Sequence, residues 1–290
     1  VREKVFAFGT DQCLVGVLTE PDPDRKRPGA PAVLLSTVGI NPRVGPFRIW
    51  VDLARVLASL GFTTLRFDLS GLGDSEPRRD TRNELERAAS DVREAMDFLV
   101  QKGSQEFVLI GLCSGVDQVH AVSLADSRVV GAVHLDGYNY RTRGYYLRRA
   151  TLELLDAARW RRFLERRLRP LLSNGAEKRE VGEAAEIYVR DYPTRQKLET
   201  DLNALLQRGT RLFFVYSGTL THYRYATQFY EMFESSDFRG RIDVEYYPRA
   251  DHTFSAVADR LAVIQRLCAW VDANFPATVS ARAADARLGA

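Results

Sequence analysis

Residues 106–120, EFVLIGLCSGVDQVH, constrain this chain more than any other stretch. Residues 107–110 are apolar and β-rich, Gly111 and Gly115 bracket Cys113, and Val116, Val119 and Ala121 resume a helical apolar spacing. The pattern predicts a strand, a sharp turn and a helix, with Cys113 on the turn. Flanking glycines let strand and helix approach closely.

The same rhythm repeats on both sides. Residues 3–8 and 12–19 read as short strands around Gly9-Thr10-Asp11, a hairpin signal, and a proline-rich charged link follows over 21–31. Residues 32–36 form an apolar run closed by Ser36, as suits a strand buried on both faces of a parallel sheet. A glycine and proline loop over 37–46 then opens a helix whose apolar stripe is Ile49, Leu53, Val56, Leu57 and Leu60, ended by Gly61. Strand 62–67, helix 82–102, strand 106–111, helix 114–125 and strand 129–135 continue the alternation, which predicts βαβ units in a mainly parallel, doubly wound α/β sheet. From 138 to 208 there is no convincing strand, only helical patterns rich in Leu, Arg and aromatics. The rhythm returns with strand 212–216, helix 223–234, strand 242–247 and helix 255–274. The expected organisation is therefore a core of 1–137 and 209–277, a helical insertion over 138–208, and a tail over 278–290 with little to pack.

At 290 residues and 45% hydrophobic content the chain can fill a sizeable core. The balance of 41 basic to 38 acidic residues is too even to indicate a nucleic-acid partner. No apolar run reaches membrane-span length and no leader pattern opens the sequence, so a soluble cytoplasmic protein is the expectation. Cys13, Cys113 and Cys268 are odd in number and lack metal-type spacing. Neither a disulfide scaffold nor a metal or other cofactor is expected.

Strand, GxCxG turn and helix together resemble the nucleophile elbow of the α/β-hydrolases, with Cys113 in the serine position, as in the dienelactone hydrolases. The strings GPFR at 45–48, LRFDLSGLGDSE at 65–76, GLC at 111–113 and ADHTF at 250–254 are more narrowly similar to serine-aminopeptidase-like bacterial hydrolases encoded beside exosortase and exopolysaccharide genes. This resemblance implies an α/β-hydrolase fold with the 138–208 insertion as its cap. It implies a cysteine nucleophile at Cys113, and a general base at His252, in the polar loop between the last strand and last helix. The bland alternative for Cys113 is a buried thiol packed as a small hydrophobe. Of the other histidines, His120 and His134 fall where structural roles are expected, and His222 lies in an aromatic, polar loop as a possible ligand contact.

The acid departs from the family pattern. Many relatives carry it in a Ser-Gly-x-Asp setting after the strand preceding the histidine strand, but here that place reads Tyr216-Ser-Gly-Thr-Leu-Thr-His222. Asp136, directly after strand 129–135, is the substitute, a position used by some α/β-hydrolases; its other reading is a turn-forming Asp-Gly pair. The oxyanion hole would use the backbone N–H of Ser114 and one from Thr37 or Val38. Asp68 and Asp74 match the family's Asp-x-Arg-Gly-x-Gly-x-Ser loop, with Ser70 in the arginine position, and are expected to be structural.

Between positions 141 and 169 ten arginines stand against Glu153, Asp156 and Glu165. They make either a solvated helical face or a docking surface for an anionic partner such as an acidic acyl carrier protein or a CoA phosphate. Tyr138, Tyr140, Tyr145, Tyr146, Tyr223 and Tyr225 would line a pocket beneath the cap or belong to the core. The functional expectation is acyl transfer through a thioester on Cys113, by a thioesterase or acyltransferase acting on a carrier- or CoA-type thioester. A carboxylesterase or lactone hydrolase is the enzymatic alternative. A non-catalytic ligand-binding homologue, motivated by the missing carboxylate, is the other.

Overall fold

The computed structural model describes residues 1–36, 39–155 and 192–277. Its strands are β1 (Arg2–Phe8), β2 (Leu14–Glu20), β3 (Ala32–Leu35), β4 (Thr64–Phe67), β5 (Phe107–Leu112), β6 (Val129–Leu135), β7 (Arg211–Ser217) and β8 (Ile242–Tyr247). The helices are α1 (Ile49–Ser59), α2 (Glu84–Gln101), α3 (Gly115–Ala125), α4 (Arg143–Leu155), α5 (Arg195–Gln207), α6 (Gln228–Met232) and α7 (Val257–Asn274). One sheet joins all these strands in the order β1-β2-β4-β3-β5-β6-β7-β8. The first hairpin joins antiparallel, through β2 on β4, and every pairing from β4 onward to β8 is parallel.

Alternating side chains explain why the inner strands are continuously apolar. Val33, Leu35, Val108, Ile110, Leu112, Phe213 and Val215 enter the core under α1 and α7. Their neighbours Ala32, Leu34, Phe107, Leu109, Leu212 and Phe214 enter the core on the other face, with α2, α3, α5 and α6. The chain moves from β3 to β4 in one direction and from β5 to β8 in the other. With right-handed crossovers that reversal puts α1 on one face and the crossover helices α2, α3 and α6 on the opposite one. It also opens a crevice at the carboxyl ends of β3 and β5, the usual place for a ligand in an open α/β sheet. Residue 113 lies there.

The helix expected over 223–234 contracts to Gln228–Met232. Tyr223 and Tyr225 are withdrawn from it by tertiary contacts: the Tyr223 ring stacks on Tyr216 at 3.8 Å, and the Tyr225 hydroxyl bonds Thr142 and Glu231 at 2.8 and 2.5 Å. After β6 the chain leaves the sheet, runs into α4 and returns through α5. Its two described ends are tied together, since the Tyr140 hydroxyl donates to Pro193 O at 2.5 Å, and Tyr192 packs edge-on to Tyr138. The bulk of the expected cap, 156–191, and the tail, 278–290, lie outside the described residues. Among the described residues no helix is long and apolar enough to cross a membrane.

Candidate active site

Cys113 sits on the turn between β5 and α3 with a backbone φ of +54°. Only a tight, over-determined turn holds a non-glycine residue there. Gly111 makes the turn possible, because a Cβ at that position would lie 2.5 Å from the carbonyl oxygen of Gly115. Cys113 N–H donates to Leu135 O at 2.9 Å, fastening the turn to the end of β6. The thiol is half-buried and stands at the amino end of α3, where partial positive charge favours a thiolate.

His252 and Asp136 come to the same place from distant parts of the chain. Asp136 follows β6, is 1% exposed and has a φ of +48°. Its Oδ2 lies 2.8 Å from His252 Nδ1. With Nδ1 engaged, Nε2 is the ring nitrogen left for Cys113, with which His252 is also hydrogen-bonded. The hydrogen bonds that the ring makes to Asp136 and then to Cys113 push the His252 pKa up to about 10, against the opposing effect of burial. The imidazole is thus held as imidazolium at neutral pH, beside the Cys113 thiol. Its loop is stiffened by Asp251, whose carboxylate accepts from Thr253 N–H and Oγ1 at 2.8 and 2.7 Å and from the Ser255 hydroxyl. Those bonds, that of Ser255 first, hold the Asp251 carboxyl well below its usual range.

Sequence reasoning missed Ser217. Its N–H donates to Asp136 Oδ1 and its hydroxyl to Oδ2, each at 2.6 Å. The Ser-Gly pair at the end of β7 carries no local mark of this role, because only the fold brings Asp136 opposite it.

Ser114 caps the amino end of α3, and its Oγ accepts from Gly39 N–H at 2.8 Å, so the elbow is linked to the loop after β3. Thr37 and Val38, the other oxyanion candidates, lie outside the described residues. Further along that loop, Arg43 N–H donates to Asp68 Oδ1 at 2.5 Å, and the Arg43 guanidinium bridges Asp68 and Asp74. Asp68 is fully buried, and Asp74 N–H donates to it at 3.1 Å. Both carboxylates thus clamp the 39–48 loop.

The remaining histidines are accounted for elsewhere. His120 Nε2 lies 3.2 Å from Asp201 Oδ2, joining α3 to α5. His134 is buried in β6 with its ring stacked on Phe214 at 4.6 Å. His222 Nε2 is 2.7 Å from Arg141, and burial together with the arginine charge lowers its pKa. Tyr138 packs between His120 and Tyr192 and accepts on its carbonyl from the Tyr216 hydroxyl. Of the tyrosines expected beneath the cap, Tyr138, Tyr145, Tyr223 and Tyr225 are buried, while Tyr146 is 54% exposed.

A sequence profile of the α/β-hydrolase fold matches residues 42–173, a segment that holds Cys113 and Asp136 and ends before His252. Solved structures align over nearly the whole chain. An α/β serine hydrolase without lid from Xanthomonas campestris is 12% identical, with a TM-score of 0.55 over 96% of each chain. The chain has the α/β-hydrolase fold. The α/β-hydrolase GrgF from Penicillium sp. sh18 is 16% identical, with a TM-score of 0.55 over 95% of this chain and 99% of its own. An esterase from Pyrococcus furiosus is 13% identical, with a TM-score of 0.55 over 94% and 93%. At such identities the likeness is one of fold. No curated protein matches the sequence. Within the α/β-hydrolase fold, the elbow, the strand-β6 carboxylate and the histidine loop are the features this chain places together.

Proposed function

We propose that this chain is an acyl-transfer enzyme, a thioesterase or acyltransferase working through an acyl thioester on Cys113. The carrying observation is the single line of contacts from Cys113 through His252 to buried Asp136. In this reading the thiol proton already rests on His252 Nε2 before substrate arrives. The Cys113 sulfur adds to the substrate carbonyl, and the negative charge on its oxygen faces the Ser114 N–H at the start of α3. As the carbonyl re-forms, the leaving thiol or alcohol takes the proton from Nε2. An acceptor, water or another nucleophile, then returns a proton to Nε2 as it attacks the acyl-cysteine, and Cys113 departs as thiolate. Asp136 keeps Nδ1 protonated throughout, so the ring is always in the tautomer that serves Cys113.

A thioester donor is favoured because exchange between two thioesters is nearly isoenergetic, and the acyl-cysteine stays reactive toward alcohols and amines as well as water. The arginines after position 140 fit a carrier protein or CoA phosphate approaching the insertion. The test is intact-protein mass after brief mixing with a panel of acyl thioesters, activated esters and lactones, for wild type and Cys113→Ala. The expected result is an acyl adduct on wild type alone, richest with thioesters. Preference for esters or lactones would move the assignment to a carboxylesterase or lactone hydrolase. No adduct or turnover with any donor, together with an unreactive Cys113, would leave a non-catalytic binding protein.

A further inference from the structure

Asp136 is a charge taken almost wholly out of water, and such a carboxylate persists as an anion only where donors replace its hydration. Among the described residues, two of its three side-chain hydrogen bonds come from one residue: the N–H and the hydroxyl of Ser217, one on each carboxylate oxygen. The hydroxyl shares Oδ2 with His252 Nδ1. This fork fixes the plane of the carboxylate and turns Oδ2 toward the imidazole. A serine has one hydroxyl proton. Because it is committed to Asp136, the 3.4 Å contact with Thr219 Oγ1 has Thr219 as the donor, which aligns the Ser217 hydroxyl from behind.

The next residue sets the other half of the geometry. A Cβ on Gly218 would lie 2.0 Å from the carbonyl oxygen of Pro248, so only glycine lets the end of β7 pass so near the segment leading to His252. Gly218 N–H donates to Ala250 O at 3.0 Å, two residues before the histidine. One dipeptide therefore grips the acid with its first residue and the histidine loop with its second.

We propose that Ser217 is a positioning residue, holding the Asp136 carboxylate in place and aimed at His252, with Gly218 setting the separation from the histidine loop. This rests on the Cys113–His252–Asp136 reading given above. Without the hydroxyl, the carboxylate is free to swing out of line with His252 Nδ1. That weakens its hold on the imidazolium and with it the activation of the Cys113 thiol.

The test is the rate of Cys113 alkylation by iodoacetamide between pH 5 and 9, read by peptide mapping so that Cys13 and Cys268 are scored separately. It needs no acyl donor. The expected result is a wild-type profile with its midpoint well below that of an ordinary thiol, at about 8.5. Ser217→Ala should move that midpoint up by about one pH unit and slow alkylation by up to about tenfold at pH values below both midpoints, as loss of one hydrogen bond to a charged group implies. Ser217→Thr, which keeps the hydroxyl, should follow wild type. If Ser217→Ala does not fold, Ser217→Cys, of similar volume and with a weak S–H donor, is measured instead and should show the same upward shift. A low wild-type midpoint that Ser217→Ala, or its replacement, leaves unmoved would overturn the role of Ser217 alone. A wild-type midpoint at the ordinary thiol value would overturn the Cys113–His252 pairing itself.

Discussion

At the scale of single residues, the site depends on backbone positions that few side chains tolerate. Cys113 and Asp136 both occupy the left-handed region, and each is pinned through its N–H to a neighbouring strand: Cys113 to Leu135 O, Asp136 to Val215 O. Gly111→Ala would drive a methyl group into the backbone of Gly115, where no flexible side chain can give way. Overpacking of this kind costs about 1–3 kcal/mol, so a fall in Tm of roughly 5 °C and slower Cys113 alkylation are expected. A melting curve at the wild-type temperature would refute the claim that this glycine is a steric requirement. Asp136→Asn tests the electrostatics. His252 has its folded pKa raised from 6.5 to about 10. Stability from holding the imidazolium is therefore complete below about pH 6.5 and fades as pH climbs toward 10. The Tm gap between wild type and Asp136→Asn should be widest near pH 6 and narrow toward pH 10. A gap independent of pH would show that the pair carries no proton-linked stability.

At the scale of elements, the carboxyl end of β3 opens into a loop held by three fasteners. The Ser36 hydroxyl donates to Gln118 on α3, Gly39 N–H donates to Ser114, and Arg43 is gripped by Asp68 and Asp74. The 68–76 loop is itself secured, with the Ser75 hydroxyl donating to Asp68 O and Ser70 N–H to Asp91, each at 2.8 Å. The DLSGLGDS string is thus legible as scaffolding: its acids hold the neighbouring loop rather than substrate. Arg43→Ala would leave the Asp68 carboxylate buried with backbone N–H groups as its remaining partners. A loss of about 2–4 kcal/mol is expected, since an uncompensated buried charge is costly. If acylation is measurable, its rate should fall as the loop loosens, and Arg43→Lys should recover part of the stability but not the paired contacts. Unchanged chemical denaturation in Arg43→Ala would rule out the clamp.

At the scale of the whole molecule, the sheet is what assembles the reacting groups. β5, β6, β7 and β8 are consecutive and parallel, so the turn bearing Cys113, the turn bearing Asp136, Ser217 and the His252 loop all emerge on one edge. Much of this was legible beforehand. Apolar runs within 32–36 and at 107–110 marked strands buried on both faces, and glycines at 111 and 115 marked the elbow, because periodicity and steric demand act over a few residues. The helix at 223–234 was overextended, because its apolar spacing is helical while its tyrosines find better partners in Tyr216 and Thr142. Asp136 stood open between acid and turn-former, since an Asp-Gly after a strand serves either role. Ser217 gave no local signal, because a serine's donors acquire a purpose only from what faces them. The sequence by itself determined the alternating strands and helices, the sharp turn at Cys113 and the polar loop at His252, all products of short-range pattern. Only the tertiary structure decided which carboxylate meets His252 and what holds it. Asp136 and His252 are 116 residues apart, and they come within 2.8 Å because parallel register brings the ends of β6, β7 and β8 to the same edge of the sheet.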